Sequence, residues 1–414
     1  MELMTKKSFK QTEVGLIPED WKLKTLGDVG DVQMCKRIFS YQTSKRGDVP
    51  FFKIGTFGKE PDAFIDWDLY QEFRKKYSFP KKGYLLISAS GTIGRTVEYL
   101  GEDAYYQDSN IIWIDNDEKL ISNKYLNYTL KVIKYNTEGS TIKRLYNSII
   151  KSSKFVIPPT LTEQKAIATA LSDVDALISS LEQTITKKKS IKQGAMQQLL
   201  TPPHKGGKRL PGFEGEWVER PFTDMIWFQE GPGLRKWQFT SKGIKVINIT
   251  NLVNGYLDLE KTQRHISWDE FNKMYKHFEV DEGDIVVASS GNSYCKTSVV
   301  RKQDLPLVMN TSVIRFKPLK NLNYNLLLIL LKSDLFKDQI DLLITGGAQP
   351  NFGPVHLPKV FFTLPESMKE QNAIGQILSD MDAAITQLET KKEKYQAIKQ
   401  GMMQELLTGK TRLI

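Results

Sequence analysis

The sequence predicts two α/β (α+β) globular domains, each followed by a long helix, with the two helices pairing as an antiparallel intramolecular coiled coil inside a pseudo-two-fold repeat. Three observations lead there. A stretch of sequence occurs twice, its two copies are offset by half the chain, and both carry the same helical punctuation. Glu163 to Thr201 reads EQKAIATALSDVDALISSLEQTITKKKSIKQGAMQQLLT, and Glu370 to Thr408 reads EQNAIGQILSDMDAAITQLETKKEKYQAIKQGMMQELLT. Without a gap, 22 of 39 aligned positions are identical, and the offset of 207 is half of the 414 residues.

The first globular region, 1–157, opens at Gly15-Leu-Ile-Pro-Glu-Asp-Trp21, a polar turn leading into a domain. Gly83-Tyr-Leu-Leu-Ile-Ser-Ala-Ser-Gly91 reads as a short buried strand running into a Ser/Gly turn, because a brief apolar run bounded by turn residues suits a fully buried strand. A second apolar strand is expected at Ile111–Ile114 and a helix over Lys124–Tyr135. The turn Glu138-Gly-Ser-Thr141 then leads to a last strand. Strands and helices in this order predict mixed α/β structure but leave the sheet topology open.

The first long helix is expected within 158–201. Pro158-Pro159 precedes a capping pattern, Thr160 with Glu163, and Pro202-Pro203 cannot continue a helix. Inside it, Ile167, Leu171, Val174, Ile178, Leu181 and Ile185 are spaced four, three, four, three, four, which is the period of a coiled-coil seam. At ~1.5 Å per residue such a helix is roughly 58 Å long, just under two turns of duplex DNA. Gly194 sits in its interior, where glycine costs about 1 kcal/mol against alanine. Close approach of another backbone, or common descent with Gly401, would explain it.

The linker 202–216 is rich in Pro, Gly and basic residues and joins the halves. The second globular region, 217–364, opens at Trp217 and repeats the first loosely. Gly283-Asp-Ile-Val-Val-Ala-Ser-Ser-Gly291 matches the earlier strand and turn, with a strand at Ser312–Phe316, a helix over Tyr324–Phe336 and a turn at Gly346-Gly-Ala-Gln-Pro350. The second long helix and tail occupy 365–414. Ser367 with Glu370 forms its capping pattern, Ile374, Leu378, Met381, Ile385 and Leu388 its seam, and Gly409 its left-handed stop. The two helices have stayed alike while the globular regions have diverged, as expected of related readers of different ligands.

Composition narrows the function. With 58 Lys+Arg against 48 Asp+Glu, the formal charge of +10 favours a polyanionic partner. The chain is 40% hydrophobic and 26% charged, which excludes disordered and collagen-like classes. The longest apolar run, Leu326–Leu331, is far too short to span a membrane, and a cytoplasmic protein is expected. Cys35 and Cys295, one per half, exclude a disulfide framework. No catalytic constellation is legible: Ile157-Pro-Pro-Thr160 lacks the amide and aromatic of an amino-methyltransferase motif, and Gly231-Pro-Gly233 lacks the nucleotide-binding pattern. His204, His265, His277 and His356 have no metal-ligand spacing. The chain is expected to be non-catalytic and to bind no metal.

The duplicated helix resembles that of the specificity subunit of type I restriction-modification enzymes. The resemblance covers essentially the whole chain and rests on the entry Pro158, Pro159, Glu163, Gln164, Ala166 and Ile167, and on the exits Lys192–Thr201 and Lys399–Thr408. The second entry has Pro365-Glu366 where the first has two prolines. The resemblance implies that each globular half is a target-recognition domain for one half of a bipartite site in double-stranded DNA. It implies that the coiled coil sets the half-site separation and docks two methyltransferase subunits, with restriction subunits completing the complex. S-adenosylmethionine, ATP and magnesium are then expected on those partners and none on this chain. A coiled-coil adaptor whose globular domains bind proteins is the alternative, separated by its lack of salt-dependent DNA binding.

Candidate DNA contacts are cationic, amide or hydroxyl side chains on loops after strands, since Arg suits guanine and Asn or Gln suits adenine. In the first region these are Lys36, Arg37, Ser90, Thr92, Arg95, Lys143 and Arg144. In the second they are Arg235, Lys236 and the neighbouring Trp237, with Ser290, Asn292, Lys296, Gln349 and Asn351.

Overall fold

A computed structural model describes residues 8–135, 145–253, 255–344 and 350–413, without the side chain of Asn292. The expected turns at Glu138–Thr141 and Gly346–Gln349, and the candidates Lys143, Arg144 and Gln349, lie outside the described residues. The chain divides into two compact units that do not follow chain order. One is Met1–Glu182 with Thr390–Ile414, and the other is Gln183–Glu389. Each unit therefore holds one globular region, the first part of the helix that follows it, and the last part of the other long helix.

In the first unit, a four-stranded antiparallel sheet runs in the order Val32–Gln33, Ile111–Ile114, Leu85–Ser88, Thr96–Glu98. Three more strands run Phe64–Ile65, Val49–Phe52, Tyr105–Tyr106, the last pair being parallel. Lys22–Thr25 pairs with Lys154–Ile157, and Phe9–Thr12 with Gly15–Pro18. The second unit repeats this frame. Its four-stranded sheet is Ile226–Glu230, Val313–Pro318, Ile285–Ala288, Thr297–Val299, and its three-stranded sheet is His265–Ile266, Ile244–Ile247, Leu307–Met309, again with one parallel pair. Trp217–Pro221 pairs with Phe361–Pro365. An extra hairpin, Leu252–Val253 with Tyr256–Leu257, distinguishes the second unit.

The strand pleat explains why these runs carry apolar residues on both faces. Leu85, Ile87, Ile112 and Ile114 point into one core, while Leu86, Ile111 and Trp113 point into another with Phe51 and Tyr105. In the second unit Ile285, Val287, Ile314 and Phe316 face one core, and Val286, Ala288 and Val313 the other. The short helices Asn123–Val132 and Tyr324–Lys332 are capped by Ser122 and Asn323, whose side chains accept from Tyr125 N and Leu326 N. The helix expected over Tyr324–Phe336 is two: Ser333 is extended, its hydroxyl bonds Leu330 O at 2.6 Å, and a new helix runs Asp334–Leu343.

The long helices span Leu161–Leu199 and Met368–Leu406, 39 residues each. Their seams are buried or half-buried. Ile167 and Leu171 enter the first core with Leu406 and Leu407, whereas Ile374 and Leu378 enter the second with Leu199 and Leu200. Leu181, Ile185 and Ile385 are buried, and Val174, Ile178, Met381 and Leu388 half-buried. Within each unit the pairing is antiparallel. In the first, Asp175 bonds Lys399 at 2.5 Å and Glu182 bonds Lys392 at 3.8 Å; in the second, Asp382 bonds Lys192 at 2.5 Å and Glu389 bonds Lys189 at 2.6 Å. Asp175–Lys399 and Asp382–Lys192 are the same pair under the repeat. Beside them Lys131 and Lys332 are each pushed below the usual lysine range, chiefly by burial.

The head of each long helix closes its unit. Thr160 and Ser367 accept from Glu163 N and Glu370 N at 3.2 and 3.4 Å, as expected of N-caps. The glutamate carboxylates differ from expectation: they turn away from the first-turn amides to salt-bridge an arginine beyond the end of the other helix. Arg209 Nε and Nη2 meet the Glu370 oxygens at 3.1 and 2.7 Å; Arg412 holds Glu163 in the same two-pronged way. The adjacent glutamines clamp the short helices. Gln164 accepts from Ser122 N and donates to Leu120 O, and Gln371 accepts from Asn323 N and donates to Asn321 O. Both glutamates are buried, so removing either arginine strands a charge and costs about 3–5 kcal/mol.

Gly409 has φ +73°, and a Cβ there would lie 2.6 Å from Pro18 Cγ. Gly194 and Gly401 meet nothing within 4 Å, so close approach of another backbone in this chain does not explain them. Two outcomes follow for denaturant unfolding. Gly409→Ala is expected to lose more than about 1 kcal/mol, whereas Gly194→Ala and Gly401→Ala each gain about 0.5–1 kcal/mol. Hydrogen bonding to Arg412 holds the Asp20 carboxyl below its usual range. A lowered carboxylate stabilises above its unfolded pKa of about 3.9 and stops doing so as pH falls through the folded value. Asp20→Asn is therefore expected to lower the melting temperature at neutral pH, with a difference from wild type that shrinks below about pH 4.

Candidate nucleic-acid interface

In each unit, one end of the two sheets gathers the loops that carry the sequence-predicted polar residues. In the first unit the segment 107–110, entering the strand Ile111–Ile114, is the hub. Gln107 N donates to Phe52 O at 2.9 Å, and its side-chain oxygen accepts from Ile54 N at 3.0 Å. Asp108 accepts from Arg37 Nε at 2.8 Å, and Asn110 Oδ1 accepts from Ser90 Oγ at 2.8 Å. Three loops, at 34–43, 53–59 and 89–95, are thus tied to one hub.

These bonds settle how each candidate is presented. Thr92 is exposed at the tip of a turn closed by Ser88, whose hydroxyl accepts from Arg95 N at 2.9 Å and donates to Thr92 O. Arg95 is half-buried and donates to Phe57 O, so its guanidinium is partly committed to the loop. Lys36 lies 5.1 Å from the Tyr77 ring centroid, and Tyr105 OH donates to Lys36 O at 3.0 Å. Between the loops lies a hollow of about 290 Å³, lined by Ile54, Gly55, Phe57, Lys59, Ser88, Gly91, Thr92 and Arg95. It is open to solvent and carries the hydroxyls of Ser88 and Thr92 with the cations Lys59 and Arg95, so it suits an anionic or polar group reaching in from a larger ligand.

The second unit builds the same end from different side chains. Asn310 is the hub, donating from its backbone to Ile247 O at 3.0 Å and from its side chain to Asn248 Oδ1 at 2.8 Å. Ser289 N donates to Ser312 O, and Ser290 bridges Asn351, which brings these two candidates together. Lys296 is exposed, and its carbonyl accepts from Ala288 N at 2.9 Å to close the turn. Arg235, Lys236 and Trp237 are exposed on a turn pinned by Gln238. Asn292 lies on the 3₁₀ turn Gly291–Ser293.

Two copies of one frame, each presenting its own polar loop set, are matched by a family model. The model for the type I restriction modification DNA specificity domain covers residues 18–193 and again 214–400. The chain belongs to this specificity family. A type I restriction enzyme MjaVIII specificity subunit of Methanocaldococcus jannaschii is 26% identical over 430 residues, covering 100% of this chain and 98% of that one. A provisionally named type I restriction enzyme specificity subunit of Haemophilus influenzae is 57% identical over 166 residues, 40% of this chain and 43% of that one. The latter match therefore spans less than half of either protein. Among solved structures, the S subunit of the type I restriction-modification system of M. genitalium superposes with TM-score 0.60 at 16% identity, covering 94% of this chain and 96% of that one. A second, from work on complex assembly of the type I R-M system, gives 0.56 at 12% identity, covering 95% and 99%. At such low identity these superpositions show a shared fold alone.

Within this specificity-family frame, several residues escaped the sequence reading. Gln107, Asn110, Asn248 and Asn310 act as hubs. The weak internal similarity of the two globular regions hid them. A better signal existed. Tyr41-Gln42 and Trp237-Gln238, followed by Gly47 and Gly243, recur at a constant spacing that also relates Trp21 to Trp217. Arg209-Leu210 and Arg412-Leu413 likewise recur after the two long helices, with a short insertion before the first. Among the described residues, no helix is long and apolar enough to cross a membrane. Gln107→Ala is expected to cost about 1 kcal/mol and to speed amide exchange at Ile54, measured by mass spectrometry, without change in the long helices. Unaltered exchange at Ile54 would remove Gln107 as the hub.

Proposed function

We propose that the chain is the non-catalytic DNA-recognition subunit of a type I restriction-modification complex, each globular region reading one half of a bipartite site. The observation that carries this is the repeated frame with divergent loops. Identical strand orders place both loop sets at the same end of each unit, while Ser90, Thr92 and Arg95 in one stand where Ser290, Asn292 and Lys296 stand in the other. Backbone phosphates would be met by exposed cations such as Lys36, Lys59, Arg235 and Lys236, and base edges by amides and hydroxyls on the turns.

The paired long helices set the spacer between half-sites, and their exposed faces dock two methyltransferase subunits, with restriction subunits joining the assembly. Joining two short contacts by a stiff element makes the second intramolecular, which raises affinity for the correctly spaced pair. S-adenosylmethionine, ATP and magnesium belong to those partners, and the complex works in the cytoplasm. Mapping methylated adenines in cells that express this chain with its cognate methyltransferase tests the proposal. The expected result is a bipartite motif in which exchanging residues 217–364 for those of another family member changes one half alone. A contiguous motif, or one unaltered by the exchange, would overturn it.

A further inference from the structure

Each unit exposes an aromatic ring at an equivalent place: Trp237, so far only a neighbour of candidate cations, and Tyr41, which has had no role until now. Tyr41 is 81% exposed and Trp237 80%, although rings of this size normally bury most of their surface. Both occupy the middle of a 3₁₀ turn, Ser40–Gln42 and Lys236–Gln238, at the loop end of their sheets. Both turns are closed the same way. Gln42 Oε1 accepts from Phe39 N at 3.0 Å, and Gln238 Oε1 accepts from Arg235 N at 2.7 Å. Gln238 is itself buried and donates to Tyr275 OH at 2.9 Å and to Glu270.

A rigid turn that holds a ring in solvent twice over implies a partner for that ring. Its neighbours say which kind. Lys36 and Arg37 lie a few residues before Tyr41, and Arg235 and Lys236 immediately precede Trp237, so each ring shares its loop with two exposed cations. Cations beside an exposed π face suit a nucleobase held by its phosphates, since stacking accepts any base while the charges hold the backbone. The two rings also differ in a useful way. Phe39 stacks on Tyr41, 5.8 Å apart and 8° from parallel, where the second unit has Arg235 instead.

We propose that Tyr41 and Trp237 are base-stacking wedges, each inserting against an opened base step of the half-site that its unit reads. This rests on the DNA-recognition reading and adds to it a sequence-tolerant contact that depends on how easily the step opens. Flexible pyrimidine–purine steps are then favoured at those positions, giving selectivity without a base-edge hydrogen bond. The Phe39–Tyr41 pair offers a double-ring platform, and Trp237 a single larger ring.

The test uses the full chain co-purified with its methyltransferase, and a fluorescent duplex carrying the mapped methylation motif, titrated by anisotropy at several salt concentrations. Tyr41→Ala and Trp237→Ala are each expected to weaken binding about tenfold with an unchanged salt slope, because no phosphate contact is lost. Tyr41→Phe and Trp237→Phe keep most of the affinity. With 5-iododeoxyuridine placed in the motif, irradiation crosslinks the wild-type rings to DNA. If the wild-type complex binds the motif but the alanine variants match it and no crosslink maps to either ring, the wedge is overturned and the recognition reading stands. If the wild-type complex shows no preference for the motif over scrambled duplex, both fall.

Discussion

A buried glutamate at the head of each long helix, held two-pronged by an arginine from beyond the end of the other, is the interaction on which the architecture depends. Glu163 meets Arg412, and Glu370 meets Arg209. A carboxylate so deeply buried is tolerable only when paired and hydrogen-bonded. Each arginine follows the other long helix in sequence, so each unit is completed by chain from outside its own globular region. The neighbouring glutamines extend the same junction to the capped ends of the short helices, so that one dipeptide, Glu-Gln, locks helix, tail and sheet domain together.

That junction explains why the two long helices have stayed alike while the globular regions have diverged. Positions in the long helices answer to two sets of contacts at once: Lys192 pairs with Asp382 and Lys399 with Asp175, so a change in one copy disturbs the other half's unit. Loop residues at the far ends of the sheets answer only to their hub. The hub itself can change chemistry, from Gln107 with Asn110 to Asn310 with Asn248, provided backbone amides near the strand ends remain satisfied. A frame of this kind keeps its strand order while its polar surface varies, which is what reading two different half-sites requires.

The long helices were legible because their signals are local and duplicated: the four-three spacing, the caps at Thr160 and Ser367, and the stop at Gly409. The buried strands Leu85–Ser88 and Ile285–Ala288 were legible because continuous apolar runs between glycines leave few alternatives. Other features were not. The helix pattern over Tyr324–Phe336 hid a break, since Ser333 ends one helix and caps none of the next turn by its side chain. The capping carboxylates looked sufficient for their own first turns, while their true partners lay 249 and 161 residues away in sequence. Hub amides such as Gln107 and Asn310 carry no period at all. Their role is set by which loops a parallel strand pair brings together, a non-local fact.

Hydrogen exchange on the full chain carrying Arg412→Ala tests most directly that each unit is a composite of both halves. The account predicts lost protection throughout the first unit, including the strands Lys22–Thr25 and Lys154–Ile157 in the other half of the sequence, while Trp217–Pro221 and Ile285–Ala288 exchange as in wild type. Loss confined to the residues after Leu406, or equal loss in the strands of the second unit, would contradict it.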